Sequence, residues 1–168
     1  MWVEKAFDLN DWVVLSGIVV LWGIFFLVPK VVSKQTTTLI MLYGLTLSSV
    51  FDNSFAAYSL DFYNIMDGPL YTVMDFFVYF LYPPFGYFFL YFYKKFRIRS
   101  IGNIFYIFLC SLIATLVEFT FEKSNIFSYL HGYQLAYSFC VYLVVQSGLL
   151  LLYFALENNR FNLHSKRG

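Results

Sequence analysis

Acidic and amide side chains lie inside segments of this chain that are otherwise apolar. The stretch 48–59, SSVFDNSFAAYS, carries Asp52 next to Asn53, and Asp75 and Glu118 interrupt two further apolar segments. An ionisable group inside a membrane span costs at least a few kcal/mol and usually faces the interior of a helix bundle or a wet cavity. These side chains are therefore the first candidates for a binding or catalytic site.

The composition is that of a membrane protein. Hydrophobic residues make up 60% of the 168 residues and charged residues 12%, against roughly 45–50% and about 25% in soluble domains. A net charge of +1 argues against nucleic acid as a partner. The expected partners are membrane lipids, with a protein partner or a second copy of the chain in the same membrane as a further option.

Five apolar segments approach the roughly 20 residues that a helix needs to cross a bilayer. Only helices and closed barrels satisfy the backbone in lipid, and these runs lack the alternation of a barrel strand. We therefore predict one all-α domain over residues 1–168, an integral membrane bundle of five transmembrane helices. The predicted spans are about 12–28, 36–59, 70–93, 101–121 and 133–156.

The basic residues predict an orientation for this bundle. With five spans, all of the eleven Lys and Arg residues except Lys5 and Lys123 fall on one side. By the positive-inside rule that side is cytoplasmic, so the N-terminus lies outside and the C-terminus inside. The basic loop 94–100, KKFRIRS, is also expected to lie near anionic headgroups, although such loops often set topology alone.

A diproline interrupts the third span, in YFLYPPFGYFF. Proline removes a backbone donor and clashes with the preceding turn, so we predict a break or kink at Pro83-Pro84. Gly86 follows closely and adds conformational freedom. These three residues form a candidate hinge, with a static kink that improves packing as the alternative.

The alternation of the spans brings the acidic residues to one depth. At 1.5 Å of rise per residue, Asp52, Asp75 and Glu118 all fall in the outer half of the membrane, where no Lys or Arg is found. Amide groups and one imidazole approach the same level. The candidate residues of this polar pocket are Asp52, Asn53, Asp75, Glu118, Gln134 and His131.

Three interpretations of this layer remain open. Protonated carboxyls and amides can act as hydrogen-bonded glue between helices. An outward-facing pocket can instead bind a cation, a metal or a small cationic ligand, and oxygen ligands suit Ca²⁺, Mg²⁺ or Mn²⁺. In the third interpretation the carboxyls relay protons or act as acid and base. No cofactor is evident from a motif, and a divalent cation is the one candidate.

The absence of catalytic motifs favours a role without chemistry. The chain has no GxSxG, no HExxH and no glycine-rich phosphate loop, so no catalytic residue is assigned. We expect a non-enzymatic accessory or binding protein. The first alternative is a cation- or proton-coupled transport component, and the second is a metal-dependent membrane enzyme that acts on a lipid or an isoprenoid.

Three stretches carry a resemblance. They are the aromatic-rich LYPPFGYFFLYFY of the third span, SLIATLVEFTF with its glutamate in the fourth, and YLHGYQLAYS at the entry to the last. In these features the chain resembles a family of small polytopic membrane proteins from spore-forming, low-GC Gram-positive bacteria. The family has no assigned activity, so no site residue carries over. The resemblance implies a helical bundle in a bacterial cytoplasmic membrane.

Overall fold

The fold is a helical bundle with a small two-stranded ribbon at one end. The computed structural model describes residues 7–56, 60–66, 68 and 72–165, and side chains as far as residue 158. The ribbon departs from the predicted all-α class. The described elements are α1 (Leu9–Leu27), α2 (Lys34–Phe55), β1 (Tyr63–Ile65), α3 (Val73–Val78), α4 (Tyr82–Lys95), α5 (Gly102–Lys123), β2 (Phe127–Tyr129) and α6 (Leu135–Ser165).

Four helical segments among the described residues are long and apolar enough to cross a membrane. This finding supports the prediction of a helical membrane protein. The helices begin and end within a few residues of the predicted spans, apart from α6, which continues past residue 156. The predicted ends at 57–59 and at 70–71 lie outside the described residues. The four segments are Leu9–Leu27, Val73–Lys95, Gly102–Lys123 and Leu135–Asn158.

Helix α2 is the long helix that does not reach this level of hydropathy, because polar residues crowd both of its ends. It begins with the sequence KQTTT and ends with SSVFDNSF. It packs against α4 and α6, and it buries Thr36, Ile40, Gly44 and Asp52.

The third predicted span is interrupted close to the diproline. It consists of α3, a 3₁₀ turn over Tyr79–Leu81 and then α4, whose first turn holds Pro83 and Pro84. Proline is tolerated in a first turn because that N–H has no helical partner. Pro84 has no N–H to donate to the carbonyl of Phe80, four residues earlier. The indole of Trp22 donates to that carbonyl instead, at 2.9 Å.

Several helix contacts leave little room for a side chain at a glycine, and two of them show this well. A side chain at Gly86 on α4 would meet the backbone carbonyl of Ile40 on α2 at 3.2 Å. A side chain at Gly148 on α6 would collide with the hydroxyl of Tyr43, which donates to the carbonyl of Val145 at 3.0 Å. Gly86 and both prolines are buried, so packing accounts for them, and their role as a hinge stays a prediction.

The apolar core divides between the two ends of the bundle. The cluster near the ribbon is centred on buried residues such as Val14, Val78 and Ile126. A second cluster at the other end includes Ile40 and Leu149. Between them lie the polar side chains described below.

The contact at Gly148 predicts an unusual response to alanine. Alanine normally favours a helix over glycine by up to about 1 kcal/mol. Gly148→Ala is expected instead to lower the free energy of unfolding in detergent by about 1–3 kcal/mol, because the added methyl overpacks the contact with Tyr43. Thermal or denaturant unfolding of the purified protein measures the change.

Gly23→Ala is the matched control, since no described residue outside its own helix has an atom within 4 Å of a side chain at that position. It is expected to be neutral or slightly stabilising. Tyr43→Phe in the Gly148→Ala background should restore part of the loss. Equal stability of the two alanine variants would show that α2 and α6 do not approach as closely as the structure has them.

Candidate functional site

A cavity of about 70 Å³ lies between α2, α4, α5, α6 and the ribbon. Among the described residues, the lining includes two acidic side chains and no basic one. More than half of the lining residues are aromatic. Polar groups at this position are enclosed by protein on several sides. The lining residues are Ser48, Phe51, Asp52, Phe55, Tyr63, Tyr82, Glu118, Phe127, Tyr133, Ser138, Val141, Tyr142 and Val145.

Asp52 enters the cavity from the last turns of α2. Its side chain is buried, with 7% of the residue exposed. The hydroxyl of Tyr63 on β1 donates to Oδ1 at 2.8 Å, and the hydroxyl of Tyr82 on α4 donates to Oδ2 at 2.7 Å. Both oxygens of this carboxyl group therefore have a hydroxyl partner from another element.

Glu118 enters the cavity from the second half of α5 and is 8% exposed. Its Oε1 accepts from the hydroxyls of Tyr129 at 2.7 Å and Ser138 at 2.6 Å. Its Oε2 accepts from Tyr142 at 2.5 Å. The hydroxyl of Tyr133 lies 3.0 Å from that of Ser138. Because Ser138 donates to Glu118, Tyr133 is the donor in this contact.

The ribbon connects the two acids. Tyr63 on β1 is the direct antiparallel partner of Tyr129 on β2. Side chains directly opposite in such a pair lie on one face of the ribbon, about 5 Å apart at Cβ. One of these tyrosines donates to Asp52 and the other to Glu118. The three-residue strands thus place one hydroxyl donor on each carboxyl group.

The environment keeps the ribbon phenols protonated. Burial, and then the neighbouring Asp52 carboxylate, raises the pKa of Tyr63 far above its ordinary value. Burial, and then the hydrogen bond to Glu118, raises the pKa of Tyr129 in the same way. Both phenols therefore remain hydrogen-bond donors at every physiological pH.

Two of the predicted site residues, Asp75 on α3 and Asn53 on α2, do not line the cavity. Asp75 belongs to a capping box at the start of α3, where its Oδ2 accepts from the backbone N–H of Thr72 at 2.5 Å and from its hydroxyl at 2.8 Å. Asn53 is exposed and donates to the carbonyl of Ser49 at 2.7 Å and to Tyr79 at 3.1 Å. Successive helical residues point about 100° apart, so Asn53 turns away where Asp52 turns inward.

The two weaker candidates do not line the cavity either. The Nδ1 of His131 lies 2.7 Å from the carbonyl oxygen of Asp61 and 3.6 Å from its Oδ2, and both side chains are exposed. This contact joins the loops that flank the two strands. Gln134 is exposed just before α6. Of the six predicted residues, the structure brings Asp52 and Glu118 together in the cavity.

The hydroxyl donors were missed at the level of sequence. They are spread over four elements and the loop before α6, and tyrosine is abundant throughout the chain. One signal was readable, since Ser138 and Tyr142 stand four residues apart and therefore on one face of α6. The others depend on the ribbon and on helix rotation. The donors are Tyr63, Tyr82, Tyr129, Tyr133, Ser138 and Tyr142.

Two carboxyl groups without a basic side chain in the described lining can attract positive charge. Asp52 and Glu118 are the groups that would contact a cation. Among the described residues, no three His, Cys, Asp or Glu side chains form a group suited to a metal ion. Fold and site together define a polytopic helical membrane protein with a cavity lined by buried carboxyl groups and by hydroxyl groups. Protein-family models, curated proteins and solved structures give no match to the chain.

The ribbon hydrogen bonds predict a specific loss of stability. Hydrogen bonds to a charged group contribute about 1.5–3 kcal/mol. Tyr129→Phe and Tyr63→Phe are each expected to lower the free energy of unfolding by about that amount, because a buried carboxyl loses a donor while the ring remains. Exposed Tyr137 is the control, and Tyr137→Phe should stay within about 0.5 kcal/mol of the wild type. If the two ribbon variants were as stable as Tyr137→Phe, the hydrogen bonds from Tyr63 and Tyr129 to the carboxyl groups would be contradicted.

Proposed function

We propose that the chain is a non-enzymatic binding protein of a bacterial cytoplasmic membrane that takes up a small cation in the cavity of Asp52 and Glu118. One observation carries this proposal. Two buried carboxyl groups from different helices line one cavity, and no Lys or Arg is among the described residues that line it. Two like charges in a low-dielectric cavity repel each other, and a cation between them relieves that repulsion.

The pattern of hydrogen bonds suits the ionised form of both acids. Five hydroxyl groups are directed at the two carboxyl groups. An ionised carboxylate is an acceptor only, with about four lone-pair sites, so it accommodates such donors without conflict. The hydroxyls replace the water that each carboxylate loses on burial. They bring no net positive charge, so the cavity keeps its attraction for a cation.

In this proposal α2 is the fifth span. Its 22 residues reach about 33 Å along the axis, against about 30 Å for the hydrocarbon core. The end opposite the ribbon holds the basic loops. There the hydroxyl of Tyr87 donates to the carbonyl of Pro29 at 3.1 Å, and Lys94 donates to Tyr153 at 3.1 Å. The positive-inside rule then makes that end cytoplasmic and opens the cavity outward.

The apolar core between the cavity and the far end of the bundle favours binding over transport. Ser111 on α5 donates to the side-chain oxygen of Gln146 on α6 at 3.1 Å. Past this pair the buried residues Ile40, Leu90 and Leu149 form an apolar core. A transported ion would have to cross that layer, whereas a bound ion would not. The hydrogen bonds to Asp52 and Glu118 also join helices, so a purely adhesive role is the main competitor.

A cation titration separates binding from adhesion. A ligand at 100 times its Kd stabilises the folded state by about 2.7 kcal/mol, so a bound cation should raise the melting temperature in maltoside detergent. The panel is tetramethylammonium, methylammonium, Ca²⁺, Mg²⁺ and Mn²⁺ between pH 4 and 9. Asp52→Asn and Glu118→Gln are each expected to lose the response.

Asp75→Asn is the matched control because Asp75 is an acid that caps a helix outside the cavity. It should lower the basal melting temperature and keep the full response to the cation. The proposal fails if no cation in the panel shifts the wild type at pH 7–8 and both cavity variants melt at or above it. The carboxyls would then be adhesive groups between helices.

The orientation has its own test, with two residues at opposite ends of α5. Asn125 and Ser100 are both exposed turn residues with left-handed backbone, at φ 55° and φ 50°. In a background without Cys110 and Cys140, Asn125→Cys should react with a membrane-impermeant maleimide on intact bacteria. Ser100→Cys should react only after lysis. The reverse pattern would invert the orientation, and labelling of both from outside would contradict a spanning α5.

A further inference from the structure

The walls of the cavity are aromatic as well as acidic. Phe51 and Phe55 from α2, Phe127 from β2 and Tyr133 stand beside the carboxyl groups. An aromatic face carries a negative quadrupole and attracts a cation within about 6 Å of the ring centroid. Phe51, Phe55 and Phe127 offer no oxygen to a metal ion. The lining therefore combines the two features that hold organic cations.

The tyrosine hydroxyls in the lining have already committed their protons. Tyr63 and Tyr82 donate to Asp52, Tyr142 donates to Glu118, and Tyr133 donates to Ser138. The carboxyl oxygens are thus supplied with hydrogen bonds before any ligand arrives. What they lack is opposite charge. A cation without N–H groups supplies charge and leaves these hydrogen bonds in place.

A divalent metal ion fits this lining less well. Ca²⁺ takes six to eight oxygen ligands at about 2.3–2.6 Å, and Mg²⁺ requires a near-octahedral set at about 2.0–2.1 Å. Direct coordination by Asp52 and Glu118 would displace several of the five hydroxyls that now occupy their oxygens. The phenylalanine walls would contribute nothing in exchange. A cation with an apolar outer surface gains from both the acids and the rings.

We propose that the cavity recognises a methylated ammonium group, with Asp52 and Glu118 balancing its charge and the rings of Phe51 and Phe55 contacting its methyl groups. This inference rests on the proposed function and names the ligand class. The cavity measures about 70 Å³, against roughly 300–1,000 Å³ for sites of drug-sized ligands. It therefore admits a headgroup rather than a whole large molecule. A free solute and a lipid headgroup both carry this chemistry.

The test compares tetramethylammonium with methylammonium and Ca²⁺ on the full-length protein. Maltoside is the required detergent, because phosphocholine and amine oxide detergents carry the group in question. Isothermal calorimetry and melting temperature are the readouts. Tetramethylammonium is expected to bind at least tenfold more tightly than methylammonium, and Ca²⁺ at the same concentration should have little effect.

Variants of the rings test the aromatic contribution. Phe51→Leu is expected to weaken tetramethylammonium about tenfold, in line with a desolvated cation–π contact. Phe55→Leu gives the same test if the first variant does not fold. Phe105→Leu is the control, since Phe105 on α5 is 70% exposed and lies outside the cavity lining. It should bind tetramethylammonium as the wild type does.

Each failure has a separate meaning. Stabilisation by methylammonium or a metal without tetramethylammonium overturns the ligand class and leaves the proposed function standing. Binding of tetramethylammonium that is unaffected in both Phe51→Leu and Phe55→Leu overturns the role of the rings. The absence of any cation response removes the proposed function and this inference together.

Nanodiscs distinguish the two sources of the group. Choline should stabilise the protein equally in phosphatidylcholine and phosphatidylglycerol discs if a free solute is the ligand. If a lipid headgroup is the ligand, phosphatidylcholine discs should raise the melting temperature on their own and added choline should have no further effect. In both cases Glu118→Gln is expected to abolish the stabilisation, and stabilisation that survives this substitution contradicts the proposal.

Discussion

A carboxylate buried among apolar helices must receive from the protein the solvation that it would receive from water. The ribbon end of this bundle supplies that solvation. Asp52 and Glu118 stand on α2 and α5, while their donors come from α4, α6 and both strands. An unsolvated buried charge is among the most expensive groups in a protein. The position of the ribbon and the approach of four helices therefore depend on these two side chains.

The architecture was largely predictable because it follows from the lengths of apolar runs. A span needs about 20 apolar residues, and a rise of 1.5 Å per residue converts a position in the chain into a depth. These two quantities placed Asp52 and Glu118 at similar depth, and both line the cavity. The same reasoning grouped Asp75 with them, yet Asp75 caps α3. The spacing of Thr72 and Asp75 is that of a capping box, so this local role was readable from the sequence.

The remainder of the site depends on information that depth does not contain. Depth leaves the rotation of a helix open, which is why Asn53 points away from the cavity although it adjoins Asp52. The ribbon pairs Tyr63 with Tyr129, far apart in the chain and in strands of three residues each. Such strands are too short for a pattern of alternation. The donors that complete the site were therefore visible as tyrosines but not as partners of the acids.

The choice of hydroxyls as partners has a functional consequence. A lysine or arginine beside Asp52 and Glu118 would satisfy the two acids and neutralise them, and the cavity would then have no attraction for a cation. Tyrosine and serine donors solvate a carboxylate without cancelling its charge, because they are neutral and their phenols stay protonated. The two carboxyl groups are in this way hydrogen-bonded without a ligand, while the described lining leaves their charge unbalanced. A cavity that is hydrogen-bonded but not neutralised is suited to reversible binding, since the cation adds charge balance without having to build the site.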